Sequence, residues 1–244
     1  MITAVLTRPR GDSERLAEVL QAEGVQTVIL PLMTIEGTLA AEQATVPQLT
    51  PHSLVVFISA NAVRHGLPLL KPALASQPPS AVIAIGSKTQ DTLEAAGITA
   101  LMPARADSEG LLAMPELSAQ PMPDVLIVKG EGGRELLATE LRQRGAQVIE
   151  WSCYRRCWPE VDIAPVRQLG PSCVFQASSG EMLSRLSELL TGDQQTDLFQ
   201  LSVIVPSRRV ADLAAALGWG RIVCAADASD LAFSEALRPL LSTE

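Results

Sequence analysis

Small, hydroxylated and positively charged residues recur in this chain directly after short apolar runs and before amphipathic segments. If the runs are strands and the segments are helices, each such turn combines free amide N–H groups with hydroxyls or cations. Two of the three lysines, Lys88 and Lys129, fall in these turns. Since anions bind at helix N-termini, the turns together indicate a site for an anionic ligand. The turns are Thr7–Pro9, Ser59–Asn61, Gly86–Thr89, Lys129–Gly133, Ala177–Gly180 and Pro206–Arg209.

Each of these turns, taken alone, also has an explanation that needs no ligand. Ser and Thr are common helix N-caps, and a surface cation is ordinarily solvated. However, Arg8, Arg208 and Arg209 join the two lysines at such positions, although the net charge of the whole chain is -8. This joint occurrence favours one shared anion site over a series of unrelated caps.

Tyr154 is the only tyrosine of the chain, and two arginines, Arg155 and Arg156, follow it. A phenol can donate a proton or a hydrogen bond to a leaving oxygen. The alternative is an aromatic residue on a half-buried strand, with its hydroxyl in water. The sequence shows no Ser-His-Asp or Cys-His arrangement, and its two histidines, His52 and His65, lie in no ligand-like cluster. The chain is therefore short of strong acid–base groups.

The glycine-rich turn GEGGRE, which starts at Gly130, raises the alternative of a nucleotide-dependent enzyme. Glu150 lies about 20 residues further on, where a dinucleotide fold places its ribose-binding acid. The third glycine of that fingerprint is replaced by Glu135, and Glu131 would put a negative charge beside the pyrophosphate. The pattern therefore argues against dinucleotide binding.

Composition disfavours other classes of protein and site. A charge of -8 and eight aromatic residues argue against a nucleic-acid surface. No apolar run approaches the ~18 residues that span a bilayer, and the chain starts without a charged leader, so we expect a cytoplasmic protein. Cys153 and Cys157 lack a second pair of ligands, so we expect no metal site. In a cytoplasmic protein we expect the cysteines to be free thiols. Nothing in the sequence indicates self-association, so we expect a monomer.

The chain repeats itself, and its second copy lies inside the first. Four strand-turn-helix segments a, b, c and d follow one another in the order a, b-c-d-a, b-c-d. The copies of a start at Ile2 and Asp124, and the copies of b start at Leu54 and Cys173. The copies of c start at Ala81 and Ser202, and the copies of d start at Leu101 and Val223. This order predicts two similar lobes that are joined by two crossings of the chain.

Continuous apolar strands that alternate with helices are typical of a parallel sheet covered on both faces. We therefore predict an α/β protein with two doubly wound, flavodoxin-like domains. The first is discontinuous, over residues 1–34 and 168–244, and the second is inserted over residues 40–152. A two-stranded connector over residues 31–39 and 153–162 would act as a hinge beside a cleft between the lobes.

Over nearly its full length the chain resembles the uroporphyrinogen-III synthase family. The resemblance is carried by short segments in the expected order and spacing. They are LTRP from Leu6, VFISANAV from Val56, AIGSKTQDTLEAAG from Ala84, DSEGLL from Asp107, VLIVKGEGGRELLATELRQRGAQV from Val125, YRR from Tyr154 and ASSGEML from Ala177.

The resemblance implies two α/β domains on a two-stranded connector and an enzyme without cofactor or metal. It implies that the substrate is hydroxymethylbilane, a linear tetrapyrrole with eight carboxylates. Enzymes of the family close this linear tetrapyrrole into a ring. The terminal hydroxyl is lost as water, and ring D is inverted through a spiro intermediate. Without the enzyme, the substrate cyclises spontaneously and without inversion, so catalysis depends mainly on positioning.

The resemblance also implies roles for particular residues. It makes Tyr154 the group that assists departure of the hydroxyl. The implied substrate-binding residues lie in the turns described above. They are Arg8, Ser59, Ala60, Asn61, Ser87, Lys88, Thr89, Lys129, Gly130, Glu131, Gly132, Gly133, Ser178, Ser179 and Ser207. The alternative function is a two-lobed protein that binds or senses a small anion without chemistry.

Overall fold

The computed structural model describes residues 2–38, 45–133, 135–192 and 196–241. The strands are β1 (Thr3–Leu6), β2 (Gln26–Ile29), β3 (Thr34–Gly37), β4 (Ser53–Phe57), β5 (Ala81–Ala84), β6 (Asp124–Gly130), β7 (Val148–Cys157), β8 (Cys173–Gln176), β9 (Ser202–Val205) and β10 (Arg221–Cys224). The α-helices are α1 (Arg10–Ala22), α2 (Ala60–Ser76), α3 (Ser87–Ala95), α4 (Ser108–Leu112), α5 (Leu136–Gln143), α6 (Ala164–Arg167), α7 (Gly180–Thr191), α8 (Arg208–Ala216) and α9 (Asp230–Leu241). Short 3-10 turns cover Pro115–Ser118, Gly170–Ser172 and Leu198–Gln200.

The chain divides into two compact units. The first consists of Met1–Thr34 and Cys157–Glu244, and the second of Ile35–Arg156. One unit is therefore made from two separate stretches of chain, and the other is inserted between them. The finer limits expected for the domains and the connector stay predictions.

The sheet of the first unit has the strand order β10-β9-β8-β1-β2, with parallel pairing at each neighbouring pair. The three central strands, β1, β8 and β9, are buried along their whole length because both faces of the sheet are covered. Val5 and Phe175 face a core with α7 and α8, whereas Ala4 and Val174 face a core with α1 and α9. The sheet is therefore doubly wound, as the apolar runs predict.

The sheet of the second unit has the order β3-β7-β6-β4-β5. Pairing from β7 through β5 is parallel. Val55 and Phe57 pack on one face with α2, whereas Leu54 and Val56 pack on the other with α4 and α5. The predicted α/β class with two doubly wound parallel sheets is thus confirmed in both units.

The nested repeat of the sequence corresponds to the same strand order in both sheets. The order β2-β1-β8-β9 of the first unit matches β7-β6-β4-β5 of the second, segment for segment. Segment d forms strand β10 in the first unit, but in the second it contributes only a single parallel bridge, from Leu101 to Ile83. The pattern therefore indicated the topology correctly, although one copy of d is much reduced.

The two chain crossings carry strands β3 and β7, which are neighbours in the second sheet. The N–H of Thr38 donates to the carbonyl oxygen of Cys153 at 3.1 Å. An ion pair between Arg155 and Glu36, with N–O 3.6 Å, adds a second link between the strands. In the part of the chain that the structure describes, no helix is long and apolar enough to cross a membrane.

Candidate active site

The second sheet has its topological switch point between β4 and β6. From β4 the chain runs through α2 to β5 on one side, whereas from β6 it runs through α5 to β7 on the other. The helices that follow β4 and β6 lie on opposite faces of the sheet, and doubly wound folds bind ligands in the crevice that such a divergence opens at the carboxyl ends of the strands. The turns that start at Ser59 and Glu131 follow these two strands.

Ser59 is the N-cap of α2, with the extended backbone that this position requires. Its Oγ accepts a hydrogen bond from the N–H of Ala62 at 2.9 Å. Its second contact is with the Oη of Tyr154, at 3.0 Å. The structure thus brings together two residues that the sequence placed 95 positions apart.

A bulge in β7 sets the direction of the Tyr154 side chain. Lys129 pairs with Ser152, but the next residue of β6, Gly130, pairs with Tyr154, so Cys153 is an extra residue on β7. Because side chains alternate along a strand, one inserted residue turns every later side chain to the opposite face. The bulge therefore directs the phenol towards α2, where it meets Ser59.

Gly130 and His65 enclose the phenol ring. A Cβ on Gly130 would lie 2.6 Å from Cζ of Tyr154, so the ring occupies the space that any larger residue would need. The ring of His65, on α2, stacks on Tyr154 with centroids 5.9 Å apart. Only 7% of Tyr154 is exposed. The alternative of a half-buried phenol in water is therefore excluded for this structure.

Replacement of Gly130 by alanine tests this packing. The added methyl group must displace the ring of Tyr154, so we expect Gly130→Ala to lower kcat by at least about tenfold and the unfolding free energy by about 1–3 kcal/mol. Gly11→Ala is the matched control, since a Cβ there meets nothing within 4 Å. Equal activity of both variants would show that the ring position does not matter.

Lys129 lies in strand β6 and not in the turn that the sequence predicted, and it is buried. Its Nζ is 2.8 Å from Oε2 of Glu150, and Arg142 binds the other oxygen of the same carboxylate at 3.0 Å. The hydrogen bond from Lys129 holds the pKa of Glu150 below its usual range, against burial, which would raise it. Glu150 is thus engaged by two cations, which further weakens its interpretation as a ribose-binding acid.

The other predicted residues of the second unit lie at the ends of strands, as expected. Ala60 and Asn61 start α2, and Gly86 is the N-cap of α3, whose first residues are Ser87, Lys88 and Thr89. Thr89 is buried, and Asn61 accepts a hydrogen bond from Arg64. Glu131 lies after β6, and its N–H donates to the carbonyl oxygen of Tyr154 at 2.8 Å.

Gly132 and Gly133 explain why the turn after β6 is rich in glycine. Both have a positive φ, 69° and 90°, which residues with a Cβ rarely adopt. Residue 134, which follows them, lies outside the described residues. The glycines are therefore required by backbone geometry, whether or not a phosphate or carboxylate binds there.

In the first unit, Arg8 follows β1 at the switch point between β1 and β8. It is buried and forms an ion pair with Asp230, which Arg15 also binds, at 2.9 Å. Burial alone would raise the pKa of Asp230, but the hydrogen bonds from both arginines outweigh it and keep that pKa below its usual range. The charge of Arg8 is thus balanced within the fold, contrary to the expectation of an open cation.

The turns after β8 and β9 carry the remaining predicted residues. Ser179 is the N-cap of α7 and accepts from the N–H of Met182 at 3.2 Å, while Ser178 precedes it. Ser207 is the N-cap of α8, but its hydroxyl makes no capping hydrogen bond. The Ser207 hydroxyl therefore differs from that of Ser179, which is engaged as a cap.

Sequence reasoning missed three contacts that shape these sites. His65 against Tyr154, Glu150 against Lys129 and Asp230 against Arg8 all join residues that are distant in sequence. The sequence marked Glu150 only as a candidate ribose-binding acid at the end of a strand, whereas it is the third residue of β7, and nothing in the sequence marked the other two contacts. The pair of Lys129 and Glu150 depends on strand register, which the sequence pattern does not resolve to one residue. The other two contacts depend on how α2 and α9 pack on their sheets.

The cysteines and acidic residues offer little for a metal. Among the described residues, no group of three His, Cys, Asp or Glu side chains could hold an ion. Burial raises the pKa of both Cys153 and Cys173 to about 11, so these thiols stay protonated at neutral pH. Protonated thiols are poor ligands and nucleophiles.

Comparisons with known proteins bear on the family and the fold. The family model HEM4, uroporphyrinogen-III synthase HemD, matches residues 14–233. The uroporphyrinogen-III synthase of Salmonella typhimurium is 33% identical over 97% of this chain and 100% of its own length. The Escherichia coli protein of the same name is 37% identical over 54% of this chain and 55% of its own. Among solved structures, the Helicobacter pylori uroporphyrinogen-III synthetase has the same fold, with TM-score 0.60, 17% identity and full coverage of both chains.

Proposed function

Because the chain belongs to the uroporphyrinogen-III synthase family, a family of cyclising lyases, we propose that it binds hydroxymethylbilane at the strand ends described above. There it closes the tetrapyrrole with inversion of ring D and loss of water. The observation that carries this proposal is the contact between Tyr154 and Ser59 at the switch point of the second sheet. This contact supports the proposal because it joins a phenol, which can donate a proton, to the N-cap of α2.

The substrate carboxylates would bind mainly to amide N–H groups and hydroxyls. The N-termini of α2, α3, α7 and α8 each provide unsatisfied amides and the positive end of a helix dipole. Ser59, Ser87, Ser179 and Ser207 add hydroxyls at these positions. Each unit has such turns at the ends of its strands. A ligand with eight carboxylates needs this many donors.

In this proposal Arg8 and Lys129 position the binding turns and do not bind the substrate anions directly. Each is buried and paired with a carboxylate, so neither offers a bare positive charge. Their pairs fix the ends of β1 and β6, and through these strands they position the turns that follow. Binding would then depend on backbone donors, which need no compensation for charge burial.

Tyr154 would act as the general acid for departure of the terminal hydroxyl. Its proton passes to the hydroxyl oxygen, the C–O bond breaks and water leaves with the bonding electrons. The resulting azafulvenium ion is conjugated with the pyrrole nitrogen, and loss of the pyrrole N–H proton gives the neutral azafulvene. That proton restores the phenol, so the acid is unchanged after the step.

Inversion of ring D would follow from how the substrate is held. The free substrate also cyclises, so the protein needs to favour one direction of attack rather than create a new reactivity. Fixing the reacting ends in a near-attack arrangement has a large effect on such an intramolecular reaction. The proposal retains from the sequence that the protein works as a cytoplasmic monomer, without cofactor, metal, membrane or nucleic acid.

The test is the isomer of the product. We expect the protein, incubated with freshly generated hydroxymethylbilane, to yield after oxidation mainly the type III porphyrin. Heat-denatured protein is the control and should give the type I isomer that forms spontaneously. A type I product with the native protein would contradict the proposal and favour a protein that binds an anion without chemistry.

A further inference from the structure

We propose that the proton of Tyr154 reaches the leaving hydroxyl through Ser59, so that the Ser59 hydroxyl is the group in contact with the substrate. This inference rests on the proposed function and refines its first step. It makes Ser59 a catalytic residue, whereas the sequence and the family resemblance treat it as part of a binding turn.

Burial separates the roles of the two hydroxyl groups. Tyr154 is 7% exposed, and its ring lies against Gly130 and His65 beside α2. Ser59 is only partly buried, because it lies in the loop between the end of β4 and the start of α2. Of the two oxygen atoms, which are 3.0 Å apart, the serine oxygen is therefore the one that a ligand in the crevice can approach.

The hydrogen-bonding capacity of Ser59 fits a proton relay. A serine hydroxyl has one proton and two lone pairs. The N–H of Ala62 uses one lone pair at 2.9 Å. Either hydroxyl of the Ser59–Tyr154 pair could donate to the other, and in the relay the phenol, which as a class is more acidic than an alcohol, is the donor. Both lone pairs are then occupied, and the serine proton is directed outward to an acceptor such as the substrate hydroxyl.

The relay transfers one proton in two coupled movements. The Ser59 proton moves to the substrate hydroxyl as the C–O bond breaks, and the Tyr154 proton moves to Ser59 Oγ. Water leaves, Ser59 is again neutral, and the negative charge stays on the phenolate. Loss of the pyrrole N–H proton, returned through the same pair, restores Tyr154. No oxidant, reductant or co-reactant is required.

The position of the pair at the start of α2 helps this step. The helix spans 17 residues, and its first turn points N–H groups and the positive end of the helix dipole at Ser59. Negative charge that develops on either oxygen during transfer is thereby stabilised. The same N–H of Ala62 keeps Ser59 Oγ in place while its proton is exchanged.

A double-mutant cycle tests the relay. We expect Ser59→Ala and Tyr154→Phe each to lower kcat by about 100-fold, and the double variant to be no slower than either single one, because each change interrupts the same proton path. Ser59→Thr keeps the hydroxyl and should retain most of kcat. Ser59→Asn keeps a capping side chain without a relayed proton and should be as slow as Ser59→Ala.

Two results would overturn the relay. One is a Ser59→Ala variant with kcat close to wild type, and the other is a double variant in which the two losses multiply. Ser229→Ala controls for loss of a cap, since Ser229 Oγ accepts from the N–H of Ala232 at 3.2 Å in the other unit and should affect stability alone. These results are distinct from failure of the proposed function, in which the wild-type protein itself would give no type III isomer.

Discussion

Tyr154→Phe is expected to lower kcat for type III formation by about 100-fold, the lower end of the usual contribution of a general acid. The ring, its stacking on His65 and its fit against Gly130 remain, so only the proton donor is lost. KM should change little, because the proposal assigns the substrate carboxylates to donors other than the Tyr154 hydroxyl. Steady-state kinetics with separation of the two porphyrin isomers measure both parameters.

The unfolding free energy of Tyr154→Phe shows whether the change acts on catalysis or on the structure. One hydrogen bond to Ser59 contributes about 1 kcal/mol or less to the unfolding free energy. Ser187→Ala is the comparison variant, since its buried hydroxyl accepts from Trp219 Nε1 at 2.9 Å and donates to Leu183 at 2.8 Å. It should lose stability and keep kcat. Unchanged turnover in Tyr154→Phe would remove Tyr154 from the mechanism.

Lys129→Glu is expected to lower the unfolding free energy by about 3 kcal/mol or more. The change replaces a buried, paired cation with a carboxylate of the same charge as its former partner, Glu150. The new carboxylate would lie beside Glu150, which in wild type is 2.8 Å from Lys129 Nζ. The midpoint of thermal unfolding should fall by about 6–12 °C for a chain of this size. Lys129→Glu should also weaken substrate binding, since β6 leads directly into the turn at Glu131.

The pH dependence shows whether charge is the cause. In wild type the pKa of Glu150 is depressed, so its contribution to stability is present above the ordinary carboxyl pKa and is lost as the pH falls through the lower, folded value. In Lys129→Glu, protonation of one carboxylate relieves the repulsion, so the gap to wild type should narrow on acidification. Lys71→Glu makes the same charge change at an exposed position. An equally large loss in that control would show that net charge alone is responsible.

The sequence determined the fold class and much of the topology. Apolar runs such as Val125–Val128 must be covered on both faces, because no position along them is polar. Their alternation with amphipathic helices predicts a parallel sheet, and the nested order of the repeats predicts two similar sheets. Hydroxylated N-caps such as Ser59 and Ser179 were also readable, since a cap is a local interaction of a few neighbouring residues.

The tertiary structure alone decided which groups interact across the sheets. The bulge at Cys153 turns Tyr154 towards Ser59, and a shift of one residue would have directed the phenol to the opposite face. Likewise, Lys129 and Arg8 looked like open cations because the sequence does not show that Glu150 and Asp230 lie beside them. Helix, strand and cap depend on local preference, whereas register and charge pairing arise only once distant segments pack together.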